Sequence, residues 1–295
     1  SFAVHRFRFA GETATDDHWN FATLNTVTFN PVSNVGIAIL QREYSPKYQA
    51  FYANSFAEGS SVQNERGLYI GAEVQPIQKW KISAYADSYR FPWMRYRRAD
   101  RPSDGYDILT QLDYAATSRL NMFFRYRYEE QERNFTVSDN VTRLVGTHIR
   151  SSLRYVLNYS FSRNLLFRNT VEFNWVQREI GDDTQGFAMF QDLSYNLPKT
   201  PLHIDFRLAV FDIESGDNRI YTFERDILWA FSVPGYSGVG SRMYLNGKWA
   251  VSDKFSVWFK LAQTIYADRD VVGSGNEAIN GNTKTDWRVM VNYKF

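Results

Sequence analysis

The sequence predicts an all-β chain: an antiparallel outer-membrane β-barrel of about 14 strands, whole in itself or part of a larger barrel. Three observations carry that expectation. First, Phe295, Tyr293, Val291, Val289 and Trp287 alternate with Lys294, Asn292, Met290, Arg288 and Asp286. A period of two marks a strand with one apolar and one polar face. A strand of this kind ending on Phe has the form of the closing strand of an outer-membrane barrel, where it serves as an assembly signal. Second, the alternating segments are long, roughly 10–18 residues against the usual five or six. Third, short and long connections alternate, as they do between the two rims of such a barrel. Alone, the terminal segment also fits an edge strand of a soluble sheet; its recurrence along the chain argues against that.

The strands are expected at 2–10, 18–30, 34–44, 66–76, 79–91, 104–117, 120–131, 140–159, 163–180, 185–197, 201–213, 241–251, 254–267 and 283–295. Leu68, Ile70, Ala72 and Val74 alternate with Tyr69, Gly71, Glu73 and Gln75. Leu120, Met122, Phe124, Tyr126 and Tyr128 alternate with Asn121, Phe123, Arg125, Arg127 and Glu129. Leu165, Phe167, Val171, Phe173 and Trp175 share one parity, broken once by Asn169. Leu202, Ile204, Phe206, Leu208 and Val210 form another such row, and so do Phe255, Val257, Phe259 and Leu261. In a membrane barrel the apolar parity faces lipid and the polar parity lines the lumen.

Short turns fall at Pro31–Ser33, Pro76–Gln78, Thr117–Arg119, Ser160–Arg163, Pro198–Thr200 and Ser252–Lys254. Long loops are expected at 45–65, 92–104, 214–240 and 267–283, with lesser ones at 11–17, 131–140 and 181–185. If Phe295 ends in the periplasm, every short turn lies on that side, and so do both termini. The parity works only if 48–55 and 220–234 are loop segments, although both look strand-like. Each is then a hairpin rising above the membrane or a segment folded into the lumen. The whole of 1–295 reads as a single domain.

Composition narrows the classes. No stretch approaches the ~20 apolar residues of a membrane helix. Mean hydropathy is −0.45, but alternating strands cancel in such an average. Aromatic residues make up 17% of the chain, which fits girdles at both membrane interfaces. The absence of cysteine excludes a disulfide framework, a thiol nucleophile and a cysteine metal site. A net charge of +2 gives no pull towards nucleic acid. With no starting Met and no signal peptide at Ser1, the chain is expected to be a processed or truncated product.

The chemistry-bearing residues lie on the polar parity. Arg125, Arg127, Arg150, Arg154, Arg168, Glu172, Arg178, Asp205, Arg207, Lys248, Lys260 and Arg288 are expected to line the lumen. Glu73, Asp87, Asp107, Asp113, Glu129 and Asp192 supply further acids. Such a lining filters or guides anionic solutes; the plainer reading is a cross-strand ion-pair lattice that stiffens the wall. In 92–104, Trp93, Arg95, Arg97 and Arg98 interleave aromatic and basic side chains. They suit lipopolysaccharide phosphates or single-stranded nucleic acid, or an ordinary solvated loop. His5, His18, His148 and His203 have no partners at metal-ligand spacing, so neither a metal nor a cofactor is expected. No nucleophile elbow organises the serines, and Gly273–Gly281 lacks the helix a phosphate loop needs.

Several blocks are familiar together: 48–59, Gly67-Leu68-Tyr69-Ile70-Gly71, Lys79–Asp87, Phe91-Pro92-Trp93, Arg125–Glu129, Arg219-Ile220-Tyr221, Asp226–Pro234 into Gly240-Ser241-Arg242, and Gly273-Ser274-Gly275 to Gly281–Lys284. They resemble the C-terminal barrel of Bacteroidota envelope proteins described as helix-hairpin-helix domain-containing, over nearly the whole chain. The resemblance implies a barrel preceded in the family by a competence-like helical region, absent here, and by further β structure. No residue inherits a DNA-binding role from it, so nucleic acid is not an expected partner of this segment.

The expected function is a pore, transporter or complex scaffold of the outer membrane, with DNA uptake a narrower version by family analogy. The alternative is a non-conducting structural barrel whose long extracellular loops bind a protein partner or plug the lumen. A membrane-wall hydrolase is a distant third, and the chain is not expected to be an enzyme. Expected partners are outer-membrane lipid, lipopolysaccharide, the barrel-assembly machinery during insertion, and a protein at the extracellular loops.

Overall fold

A computed structural model of the protein describes residues 1–96, 98–136 and 143–295. Its strands follow the alternating segments closely. They are β1 (Phe2–Val4), β2 (Phe7–Thr15), β3 (Phe21–Val32), β4 (Val35–Tyr44), β5 (Glu65–Val74), β6 (Trp80–Phe91), β7 (Ser103–Ala115), β8 (Leu120–Thr136), β9 (Arg143–Ser160), β10 (Leu165–Arg178), β11 (Thr184–Asn196) and β12 (Leu202–Ile213). Beyond them come β13 (Ile220–Tyr221), β14 (Gly235–Tyr236), β15 (Gly238–Ala250), β16 (Phe255–Tyr266), β17 (Val271–Val272), β18 (Ile279–Asn280) and β19 (Thr283–Tyr293). One sheet of 15 strands runs β1 through β12 and then β15, β16 and β19. The pairs β13–β14 and β17–β18 are two-residue ladders inside the loops.

Two departures from the expected strands have local causes. The first strand, expected at 2–10, is a hairpin: Val4 pairs with Phe7 across His5 and Arg6. His5 adopts φ 53°, the left-handed conformation that a two-residue hairpin turn demands. Stacked rings fix the register, with Phe2 4.8 Å from Phe9 and Phe7 4.3 Å from Phe29. The main sheet therefore has 15 strands rather than about 14. Because β2 runs on to Thr15, the loop expected at 11–17 shrinks to a turn over 16–20. Asp16 closes it, accepting from the Trp19 amide (3.1 Å) and the Asn20 amide (2.9 Å). Likewise β8 continues to Thr136, so 131–136 is strand rather than loop. The rest of the loop expected at 131–140, and the first residues of the strand expected at 140–159, fall at 137–142, outside the described residues.

The chain divides into two compact units. The first comprises Ser1–Tyr114, Arg125–Ser152 and Val176–Asp183; the second comprises Ala115–Phe124, Leu153–Trp175 and Thr184–Phe295. In both, one face of the wall is apolar and open. Leu68 and Ile70 are exposed in the first unit, and Phe173, Trp175 and Leu261 in the second. On β19, Trp287 is 73% exposed and Val289, Val291 and Tyr293 more than half. Burying apolar area yields roughly 25 cal/mol per Å², so such a continuous surface calls for a hydrocarbon solvent.

The opposite face carries the buried groups. In the second unit Ala188, Phe190, Ala209, Phe211 and Ile213 pack with Ile220 and Tyr236. The last two belong to the 214–237 connection, which therefore lies on the polar face of the wall. In the first unit Ala22, Tyr44 and Tyr48 pack in the same way, drawing in part of the 45–64 loop.

Candidate functional site: the charged inner face

Alternation places every second side chain of β4 to β8 on one face of the first unit. There Arg42, fully buried, donates from Nη1 to Asp87 (2.8 Å) and from Nε to Glu65. Glu65 also accepts the backbone amides of Glu58 (3.0 Å) and Gly59 (2.8 Å), so the 45–64 loop is tied to the same cluster. Gly67 makes room for it: a Cβ there would lie 2.4 Å from Arg42 Cζ. Burial, reinforced by Asp107 and Asp87, pushes the Glu58 carboxyl up to about 7. Beside this cluster Arg127 grips Asp107 with two parallel bonds of 3.0 and 2.7 Å, and Tyr85 donates to the same carboxylate at 3.0 Å. Arg125 donates to Gln111 at 2.7 Å. Arg150 is half-buried on the same parity of β9 as His148.

The second unit repeats the plan more densely. Arg154 pairs with Glu172, and Arg207 holds both oxygens of Asp192. Asp205 takes His203 Nε2 at 3.1 Å and Arg225 at 3.2 Å. Register sets Lys260 opposite Arg288 on β16 and β19, and the same cationic face carries Arg242. The neutralising acids come from the 214–237 connection. Glu224 binds Arg242 (2.7 and 3.0 Å), Lys260 (3.2 Å) and the Tyr236 hydroxyl (2.9 Å). Asp226 takes Lys260 at 2.9 Å and Arg288 at 2.7 Å. Burial pushes the Glu224 carboxyl up, but Arg242 and Lys260 outweigh it and hold the group below its ordinary range. Arg207 adds a bond to the Phe223 carbonyl at 2.9 Å. The 220–234 segment is thus folded onto the wall, the second of the two placements open to it.

Lys248 lies 5.3 Å over the Trp258 ring, and Arg178 ends β10, bonded to Asp182 and Asp183 of its own turn. Arg42, Glu65, Glu224, Arg225, Asp226 and Arg242 are central, yet periodicity did not single them out.

In 92–104, Trp93 is open to solvent and pinned through its backbone by Asn64. Arg95 turns the other way, its Cζ 3.7 Å from the Phe91 ring centroid, while Arg98 is exposed. Arg97 lies outside the described residues. Asp16, Asp17 and His18 bring ligand-type atoms within 4.8 Å, but Asp16 holds its own turn and His18 bonds Asp17.

No protein-family model matches the chain, and no curated protein matches its sequence. Among solved structures, the RagAB peptide importer in its open-open state aligns over 92% of this chain and 43% of its own, at TM-score 0.51 and 10% identity. CdiB from Acinetobacter baumannii aligns over 99% of this chain and 55% of its own, at TM-score 0.44 and 8% identity. The NanC porin aligns over 98% and 99%, at TM-score 0.31 and 10% identity. The chain spans about half the length of the CdiB and RagAB chains it matches. The likeness to RagAB is one of fold. With an antiparallel wall that opens an apolar face outward and closes charge inward, the chain has the fold of an outer-membrane β-barrel.

Proposed function

We propose that this chain forms a solute passage of the outer membrane, with its long loops folded onto the polar face as fixed constrictions. The observation that carries this reading is the division of charge in the second unit. The wall supplies Arg242, Lys260 and Arg288, and the connection supplies Glu224 and Asp226. A connection held by buried ion pairs is built to stay inside, and a passage gains selectivity from such a polar, narrowed lining. In planar bilayers the purified protein is expected to give steady ion conductance. Removing residues 222–233 is expected to raise it several-fold. Silence in both forms would remove the reading.

The scaffold reading has one observation in its favour. The tips of the same loops expose Phe51 and Tyr52 in the first unit, and Trp229 and Phe231 in the second. Exposed aromatic side chains of this kind suit a protein partner. That reading expects no conductance until 222–233 is deleted.

A further inference from the structure

A cavity of about 330 Å³ opens between the polar face of β9 to β12 and residues 221–225 of the inward-folded connection. Arg154, Arg168, Arg207 and Arg225 line it, against Asp192 and Asp205. The acids are committed. Asp192 gives both oxygens to Arg207, Asp205 meets Arg225 and His203, and Glu172, on the same face of β10 as Arg168, takes Arg154. That leaves Arg168, exposed into the cavity and with no hydrogen bond or ion pair among the described residues. The connection adds Tyr221, Thr222 and Phe223 to the lining, and the Tyr221 and Phe223 rings are each about half exposed.

We propose that this cavity is a binding site for a small organic carboxylate with a ring body. The Arg168 fork takes the carboxylate with two parallel bonds, the geometry in which guanidinium and carboxylate match. Phe223 and Tyr221 receive the flat body of the solute. The neutralised pairs around Arg168 keep the site's surplus at one positive charge, which suits a monoanion better than a phosphate dianion. A volume of a few hundred Å³ fits a small ligand rather than a polymer. The proposal deepens the solute-passage reading and rests on it for its biological meaning, but its test does not.

The full-length protein in detergent is titrated calorimetrically with benzoate, with inorganic phosphate and with neutral benzamide. Saturable benzoate binding is expected, with the other two weaker by about tenfold or more. Arg168→Gln should abolish it, Arg168→Lys should retain part of it, and Arg101→Gln, on the exposed Glu132 pair, should leave it unchanged. Retained heat-modifiability on gels shows that each variant is folded. No saturable benzoate binding, equal binding by Arg168→Gln, or phosphate binding as tight as benzoate overturns the proposal. Conductance without benzoate binding removes the site and spares the passage. Benzoate binding without conductance does the reverse.

Discussion

Lys260 and Arg288 stand directly opposite each other across β16 and β19, two like charges on one face of the wall. Like charges in that relation destabilise a sheet. Asp226 relieves them, with Oδ2 2.9 Å from Lys260 and 2.7 Å from Arg288. The strand pair and the inward-folded connection therefore depend on one another.

Glu224 is the test of that dependence. Its side chain is fully buried among Arg242, Lys260 and Tyr236. Glu224→Gln takes from Arg242 its nearest anion and leaves Lys260 with Asp226 alone, and breaking a buried pair of this kind costs about 3–5 kcal/mol. The expected result is release of the connection with the wall intact. Protease cleavage within 222–233 should accelerate while the folded band on gels persists. Because the folded state holds this carboxyl below its ordinary range, its contribution is present above that range and lost only in stronger acid. The wild-type connection should therefore stay protected down through the ordinary glutamate range.

The 45–64 loop should respond to pH in the opposite sense. Glu58 is held up to about 7 by burial and by Asp107 and Asp87. A carboxyl raised above its ordinary value contributes stability that is complete below that value and is lost as pH rises through about 7. Hydrogen exchange in 45–64 should thus speed up between mildly acidic and mildly alkaline solution. Glu58→Gln should remove the step. A wild-type loop whose exchange shows no such step would count against the buried, protonated form.

How much of this was readable beforehand follows from the physics of each residue. Alternation located the strands because a wall between lipid and a polar interior imposes a period of two. It could not locate the His5 turn, which lacks the Gly or Asn that normally marks a left-handed position. It passed over Arg42, since Gln41-Arg42-Glu43 is polar throughout and parity is silent there. It gave Arg168 and Arg178 the same rank, as both are arginines on the same parity of β10. What separates them is their surroundings: Arg178 ends the strand and bonds Asp182 and Asp183 of its own turn, whereas Arg168 opens into the cavity. The 220–234 segment looked like a strand because it alternates. Beyond Ile220 and Tyr221, which pair as β13, it folds onto the polar face of the wall, where Glu224 and Asp226 meet Arg242, Lys260 and Arg288.

Arg42 offers a stability test confined to the first unit. It is the only cation bonded to both Glu65 and Asp87 among the described residues. Arg42→Met fills much of the same volume but strands two buried carboxylates side by side. A loss of about 3–5 kcal/mol is expected in urea titrations of the protein refolded into lipid. The triple variant with Glu65→Gln and Asp87→Asn should recover a large part of it, because the stranded charges are gone. No recovery would show that packing, rather than charge, sets the cost.

The two faces of β19 make opposite demands on a new charge. Val289 is exposed on the apolar face and pairs in register with Phe259, whereas Asn292 is half-buried on the polar face opposite Ser256. If hydrocarbon solvates the first face, Val289→Arg should cost about 2–4 kcal/mol near the bilayer midplane, falling towards the interfaces. Asn292→Arg, three residues away on the other face, should change folding in lipid by well under 1 kcal/mol, since an aqueous or ion-paired surrounding accepts it. Urea titrations in vesicles, run on both variants under one protocol, read the difference directly. Equal costs at the two positions would mean that Val289 does not face lipid, and the outward assignment of the whole Trp287-to-Phe295 row would fall with it.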